Sequence, residues 1–244
     1  MKKITTMLLC LLFAMTNIFA QGTKSEIEKA QKSDKTVFLI VKDKSSKGTD
    51  ALVKVAEQAK KTAKNTEVIK LDRDDKANAA LVAKYRLAGA PLPLILAVAS
   101  NNVVSGSLTA GEATSAKLLT FIPSKNQADV LLGFENGKAA FIICGKKTAK
   151  DKDALMTECK AANASLGNKA NLVFIDIDSK DEANFIALLN PDKTKTTVLV
   201  FNGKGQYTAT SDAKAKSKEL IAAVNKKIAN ACCPGGSGSG CGKK

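Results

Sequence analysis

Each half of the chain carries three short apolar runs separated by segments with helical periodicity. In the first half the runs are residues 36–41 (TVFLIV), 67–71 and 94–99, and apolar side chains recur at helical spacing in the segments between them. The second half repeats the order, with runs at 139–144, 172–178 and 196–201. Strand-like runs that alternate with helices predict an α/β fold.

Turn signals complete the pattern in both halves. Asn101-Asn102 and Asn202-Gly203 follow the third run of each half, and they predict hairpins to residues 103–108 and 206–210. A helix is predicted after each hairpin, at 114–121 and 215–230. The helical crossovers predict that the first strands of each half are parallel, whereas the hairpin strands are antiparallel. We therefore expect two domains, each with a central mixed sheet flanked by helices.

The N-terminal segment has the features of a cleavable secretory signal peptide. Lys2 and Lys3 precede an apolar stretch, and Ala20 provides a small residue at the cleavage point before Gln21. The apolar stretch is shorter than the roughly 20 residues that cross a bilayer. We expect a signal peptide at 1–20, domains at 21–124 and 125–231, and a flexible Cys/Gly-rich tail at 232–244. No membrane span is expected, and the mature protein is predicted to be periplasmic or secreted.

The element order resembles that of thioredoxin-like domains arranged in tandem. The first half matches through its polar helix leading into residues 35–41, and through the segment Tyr85-Arg86-Leu87-Ala88-Gly89-Ala90-Pro91 before the third strand. On this resemblance Pro91 is the cis-proline beside the usual active site. In the second half the position before the Thr196 strand is not a proline, so a cis-proline is not expected there.

The cysteine pair of that family is missing from both halves. Its redox centre is a C-x-x-C at the start of the helix after the first strand, where a thiolate attacks and a second thiol resolves the mixed disulfide. This chain has Lys44-Ser45-Ser46-Lys47-Gly48 in the first half and Gly145-Lys146-Lys147-Thr148-Ala149-Lys150 in the second. Neither domain is therefore expected to perform dithiol exchange at that position.

Composition excludes several other functions. The chain has no histidine, so it cannot assemble a Ser-His-Asp or Cys-His site by itself. Its formal net charge of +15 favours contact with anionic surfaces or acidic partners. Almost all of the positive charge is lysine, and arginine occurs only at Arg73 and Arg86. Because arginine is the usual reader of phosphate and guanine, nucleic acid is not an expected partner.

Cys144 and Cys159 are predicted to be structural. Cys144 ends a buried apolar run, and Cys159 lies in a predicted helix near Met156, so both are interpreted mainly as small core residues. A disulfide between them is an alternative, which requires a Cα separation near ~5.5 Å.

The C-terminal segment holds the remaining cysteines of the mature chain, Cys232, Cys233 and Cys241. Gly and Ser between them predict a flexible tether, in which cysteines cannot be core residues. Three uses remain open. The thiolates could bind a soft metal such as Cu(I), or Zn with a further ligand. They could form a redox arm, or they could make a local or intermolecular disulfide.

These patterns favour an exported, non-catalytic thioredoxin-like protein that binds another exported protein and carries a thiol- or metal-reactive tail. One alternative is a thiol-disulfide oxidoreductase or metallochaperone that uses Cys232, Cys233 and Cys241 as its working residues. The other is a basic protein that binds an anionic cell-surface polymer. No cofactor is otherwise expected.

Overall fold

A computed structural model describes residues 22–228. The predicted signal peptide and the cysteine tail lie outside this range. The first half contains, in chain order, α1 (Thr23–Lys32), β1 (Thr36–Lys42), α2 (Thr49–Thr62), β2 (Thr66–Asp72), α3 (Ala79–Lys84), β3 (Leu94–Val98), β4 (Val104–Thr109) and α4 (Ser115–Thr120).

The second half repeats this order. Its elements are α5 (Lys125–Glu135), β5 (Ala139–Gly145), α6 (Lys152–Ser165), β6 (Ala170–Asp176), α7 (Ala183–Leu189), β7 (Thr197–Phe201), β8 (Tyr207–Asp212) and α8 (Ser217–Val224). The helix predicted at 215–230 ends earlier than expected. Asn225 caps it after Val224, because a short amide side chain competes with the helical backbone for hydrogen bonds.

Each half forms its own four-stranded mixed sheet, in the orders β2-β1-β3-β4 and β6-β5-β7-β8. β1 pairs with β2 in parallel, and β3 runs antiparallel to both β1 and β4. The second sheet has the same directions. The predicted fold class of two mixed-sheet, thioredoxin-like α/β domains is thereby confirmed. The third strand of each half, β3 or β7, runs antiparallel to the central strand β1 or β5. This holds although a helix connects it to the strand before it in the chain.

The central strand of the first sheet is buried on both faces. Val37, Leu39 and Val41 pack with α1 and β2 on one face, and Phe38 and Ile40 pack on the other. This double burial explains why the run is continuously apolar rather than alternating. Each of these side chains contributes about 1.5–3 kcal/mol when it is removed from water. The opposite face is completed by the buried residues of α2, namely Leu52, Ala56 and Ala59.

β5 occupies the same central place in the second sheet. Phe141 and Ile143 pack against Leu155, Cys159 and Ala162 on α6. The N-terminus of α8 is fixed to the same helix, because the Glu158 carboxylate accepts hydrogen bonds from the Ser217 N–H at 2.9 Å and the Lys216 ammonium at 3.1 Å.

The chain divides into two compact units. The first runs to Leu132 and includes Lys180–Leu189, whereas the second comprises Gly133–Ser179 and continues from Asn190. Within the first unit the buried Glu182 carboxylate accepts from the Ser124 hydroxyl at 2.5 Å and from the Asn126 amide at 2.6 Å. Separate folding of residues 21–124 and 125–231 stays a prediction.

No helix within residues 22–228 is both long and apolar enough to cross a membrane.

Candidate functional site

The candidate site of the first unit lies at one edge of its sheet. Since β1 and β2 are parallel and β3 is antiparallel to them, the carboxyl ends of β1 and β2 meet the amino end of β3. Three connections converge there: the β1–α2 loop at residues 43–48, the turn after β2 and the segment between α3 and β3. Loops at such an edge commonly carry function because the sheet holds them in place.

Arg73 joins the three connections. Its Nη2 atom donates to Asp43 Oδ2 at 2.5 Å, and its Nη1 atom donates to the carbonyl oxygens of Leu87 at 3.2 Å and Ala90 at 3.0 Å. The side chains of Arg73 and Asp43 are only 22% and 12% exposed. The planar guanidinium can bridge several acceptors at once, which an ammonium group does less well.

Two adjacent serines of the β1–α2 loop face Asp43. Ser46 Oγ donates to Asp43 Oδ1 at 2.8 Å, and Ser45 Oγ donates to the same oxygen at 2.9 Å. The hydrogen bonds from Ser46 and Ser45, followed by the nearby Arg73 guanidinium, lower the pKa of Asp43 from 3.8 to about 2. Gly48 then adopts a φ of 85° before α2 begins, a conformation that glycine adopts without steric cost. The loop therefore carries a fixed carboxylate rather than thiols.

The cis-proline is Pro93, and the prediction of Pro91 was wrong. The cis peptide bond joins Leu92 to Pro93, so it lies immediately before β3. Pro91 is two residues further upstream, next to the Ala90 carbonyl that Arg73 binds. Two prolines separated by one residue cannot be distinguished by their distance from a strand whose first residue is known only approximately.

The second unit has a comparable arrangement without arginine or proline. Thr196 immediately precedes β7, as Pro93 precedes β3, and its Oγ1 atom donates to Asp151 Oδ1 at 2.6 Å. Asp151 is the N-cap residue of α6. Gly145, the last residue of β5, lies so close that a Cβ atom there would be 2.9 Å from Thr196 Oγ1. A single hydrogen bond and a tight backbone contact thus connect the ends of β5, α6 and β7.

We call residues 145–152 the basic loop. Lys146, Lys147 and Lys150 are exposed in it. Lys152 is more enclosed: its ammonium lies 5.3 Å from the centre of the Phe174 ring and donates to the Lys147 carbonyl oxygen at 3.4 Å. Contact with an aromatic face and a backbone acceptor holds this part of the loop against the sheet.

Cys144 and Cys159 are both buried, on opposite faces of the second sheet. Cys159 packs with Phe141 and Ile143, and successive residues of a strand point to opposite faces, so Cys144 lies on the other face. A disulfide between them is incompatible with this arrangement. Burial, followed by the neighbouring Glu158 carboxylate, raises the pKa of the Cys159 thiol from 9.0 to about 12. Cys159 is therefore a poor nucleophile.

Cys232, Cys233 and Cys241 lie outside the described residues. Within residues 22–228 no three Cys, Asp or Glu side chains are grouped so that they could hold a metal ion. Soft-metal and redox chemistry of the tail therefore stay predictions.

The pairs Asp43–Arg73 and Asp151–Thr196 were not found from the sequence. Their partners are separated by 30 and 45 residues, and no local pattern relates them. The rarity of arginine in a lysine-rich chain was the signal that could have indicated Arg73, because a position that needs a planar multiple donor does not accept lysine.

No protein-family model and no curated protein matches the chain. Solved structures with partial similarity include the first two thioredoxin domains of Saccharomyces cerevisiae Eps1p, with 12% identity over 84% of this chain and 96% of that one, and a TM-score of 0.34. Human ERp44 in its zinc-bound form has 11% identity over 82% of this chain and 56% of that one, with a TM-score of 0.34. An N-terminal region of Enterococcus faecalis alkylhydroperoxide reductase AhpF has 12% identity over 82% and 98%, with a TM-score of 0.27.

These identities and TM-scores assign no activity to the chain. The strand order and strand directions of the two sheets define its fold. The chain contains two thioredoxin-like domains in tandem, with Ser45 and Ser46 in the first β–α loop and lysines in the second.

Proposed function

We propose that this is an exported, non-catalytic thioredoxin-like protein that acts by binding a partner protein, and that its cysteine tail adds thiol or soft-metal chemistry. The observation that carries the proposal is the orientation of Ser45 and Ser46. Both hydroxyls donate to Asp43, so the loop where dithiol exchange would need two thiols is occupied by an internal hydrogen-bond network.

The buried cysteines support the same conclusion. A thiol attacks a disulfide only as an accessible thiolate, and Cys144 and Cys159 are both fully buried. The fold retains connected loops at the edge of each sheet, which can recognise a partner without reacting with it. We infer that reactivity belongs to Cys232, Cys233 and Cys241 and that recognition belongs to the domains.

The experiment is an insulin reduction assay with dithiothreitol as the electron source. It compares the mature protein with the variant Cys232→Ser/Cys233→Ser/Cys241→Ser, and a dithiol thioredoxin is the positive control. We expect the variant to remain at the rate of dithiothreitol alone. Reduction of insulin by the variant at a thioredoxin-like rate would overturn the proposal, because only the folded domains would remain to catalyse it.

The wild-type protein in the same assay tests the main alternative function, thiol-disulfide exchange by the tail cysteines. If wild type reduces insulin and the triple variant does not, the function is thiol-disulfide exchange through the tail. Export is tested separately by N-terminal sequencing of the protein from its native host. The mature chain is expected to begin at Gln21, and an unprocessed Met1 would contradict export through a cleaved signal peptide.

A further inference from the structure

The basic loop of the second unit differs from the matching loop of the first in its charge balance. In the first unit Asp43 pairs with Arg73, and the Asp74 carboxylate accepts from the Lys44 backbone N–H at 3.1 Å. Lys42 pairs with Asp72 at 2.6 Å. Lys42 and Arg73, which flank that loop, are therefore paired with carboxylates, and Lys44 lies near enough to Asp72 to help lower its pKa.

The three exposed lysines of the basic loop have no such carboxylate partners among the described residues. The ion pairs formed within residues 22–228 do not include Lys146, Lys147 or Lys150. Asp151, the carboxylate within the loop, instead accepts from Thr196 at 2.6 Å. Three exposed ammonium groups within five residues thus have no ion-pair partner among the described residues, and such a cluster attracts and steers an anionic partner.

The loop is also held in one arrangement. The Thr196–Asp151 hydrogen bond fixes its end, the close approach of Gly145 to Thr196 fixes its beginning, and the bond from Lys152 to the Lys147 carbonyl fixes its middle. An ordered loop loses less conformational entropy on binding than a mobile one does. The charged loop is therefore already ordered before a partner binds.

The size of the patch indicates the kind of anion. Carboxylates lie next to it: the side chain of Asp153 is 88% exposed and lies 3.6 Å from the Lys152 ammonium, and the exposed Asp178 follows Ile177, whose N–H donates to the Gly145 carbonyl oxygen at 3.1 Å. These would repel a long, uniformly charged polymer that crossed the patch. A short acidic stretch with neutral flanks avoids them.

We propose that the basic loop, through Lys146, Lys147 and Lys150, is the surface that docks a short acidic segment of the partner protein. This inference rests on the proposed partner-binding function and names the docking surface and the chemistry of the partner.

The test measures binding of fluorescein-labelled hexaglutamate to the mature protein by fluorescence anisotropy, with labelled hexaglutamine as the neutral probe. The loop variant is Lys146→Gln/Lys147→Gln/Lys150→Gln. The matched control is Lys54→Gln/Lys61→Gln/Lys64→Gln, which removes the same charge from exposed positions on and just after α2. Measurements at about 10 mM salt, where the Debye length is about 30 Å, make the electrostatic contribution visible.

We expect the loop variant to bind hexaglutamate about tenfold more weakly than wild type, since it lacks all three ammonium groups of the surface. The control variant should change affinity less than about twofold. Equal weakening in both variants would show that net charge alone attracts the probe, and would overturn the proposal. So would binding of hexaglutamine as tight as that of hexaglutamate.

A long polysulfate, heparin, is the final arm. If heparin depends on the loop more strongly than hexaglutamate does, the ligand is a polymer rather than an acidic protein segment, and the proposal is wrong. A smaller dependence for heparin supports it. The insulin assay does not depend on binding of hexaglutamate or heparin. Failure of the proposed docking surface can therefore be told apart from failure of the proposed non-catalytic function.

Discussion

Arg73 donates to the carboxylate of Asp43 across two loops, with 2.5 Å between Nη2 and Oδ2. The same guanidinium reaches the Leu87 and Ala90 carbonyl oxygens, so one side chain satisfies acceptors on two segments that form no strand pairing with each other. A partly enclosed carboxylate that loses its cation keeps the cost of its desolvation. The pair therefore stabilises the edge of the sheet where a thioredoxin-like domain would ordinarily react.

Replacement of Arg73 should destabilise the protein. Arg73→Gln removes the charge and most of the bridging donors, and we expect the free energy of unfolding to fall by about 1–3 kcal/mol. Urea unfolding near neutral pH measures it. Arg86→Gln is the matched control, because Arg86 is exposed, and it should change stability by less than about 0.5 kcal/mol. Equal effects of the two substitutions would contradict the bridging role.

The Asp43 carboxyl should make stability depend on pH in acid. Its pKa in the folded protein is about 2, below the ordinary 3.8, so the unfolded chain takes up the proton first as pH falls. The stabilisation is complete above about pH 4 and disappears as pH falls through about 2. The difference in unfolding free energy between wild type and Asp43→Asn should therefore shrink between these limits. A difference that is constant with pH would refute the assignment to Asp43.

The fold was largely predictable because its signals are local or periodic. The run at 36–41 is apolar on both faces, and this predicted a central strand, which the structure shows as β1 between β2 and β3. The hairpin at Asn202 was predictable for a similar reason, since its side chain accepts from the Lys204 and Gln206 N–H groups at 3.0 and 3.1 Å.

The candidate sites were less predictable because they depend on residues distant in sequence. The cis peptide bond precedes Pro93, two residues after the predicted Pro91. Strand boundaries cannot be placed from a sequence with an accuracy of two residues. The direction of β3 was also not determined by the length of the helix before it. One feature of the site was predictable: the β1–α2 loop contains Ser45 and Ser46 and no cysteine. This follows directly from the residue types.

Gly145 should not tolerate a side chain. A Cβ atom there would lie 2.9 Å from Oγ1 and 3.1 Å from Cγ2 of Thr196, and the buried Thr196 is fixed by Asp151. We expect Gly145→Ala to lower the free energy of unfolding by about 1–3 kcal/mol. Gly89→Ala is the control, since no atom lies within 4 Å of its added Cβ. Part of the loss should be recovered in Gly145→Ala/Thr196→Ala, and additive losses would exclude a direct clash.

The two buried cysteines should not react with thiol reagents while the protein is folded. In the variant Cys232→Ser/Cys233→Ser/Cys241→Ser, Ellman's reagent at pH 8 should detect no thiol until urea is added, because Cys144 and Cys159 are fully buried and the pKa of Cys159 is about 12. The wild-type tail thiols should react at once after reduction. Rapid native reaction of the triple variant would show that the second sheet opens at one of these residues.

The cysteine tail is expected to bind a soft metal when it is reduced. Three thiolates suit Cu(I), which accepts trigonal sulfur coordination, whereas zinc prefers a fourth ligand. Anaerobic titration against a chromophoric Cu(I) chelator should show one equivalent taken up by wild type and none by the triple serine variant. Equal uptake by both proteins would remove the metal hypothesis.

Single substitutions distinguish a Cu(I) site built from all three thiolates from nonspecific binding of Cu(I) to individual thiols. Cys241→Ser leaves two thiolates where a trigonal site needs three, so Cu(I) affinity should fall by at least about tenfold. Ser239→Ala, in the same segment, should leave the affinity unchanged. Thermal unfolding of all variants in the absence of metal should coincide with wild type, because the Gly- and Ser-rich composition predicts that this segment adds no packing to either sheet. A lower melting temperature in the triple variant would instead make the tail a structural clasp, and the view of Cys232, Cys233 and Cys241 as a detached reactive arm would then be wrong.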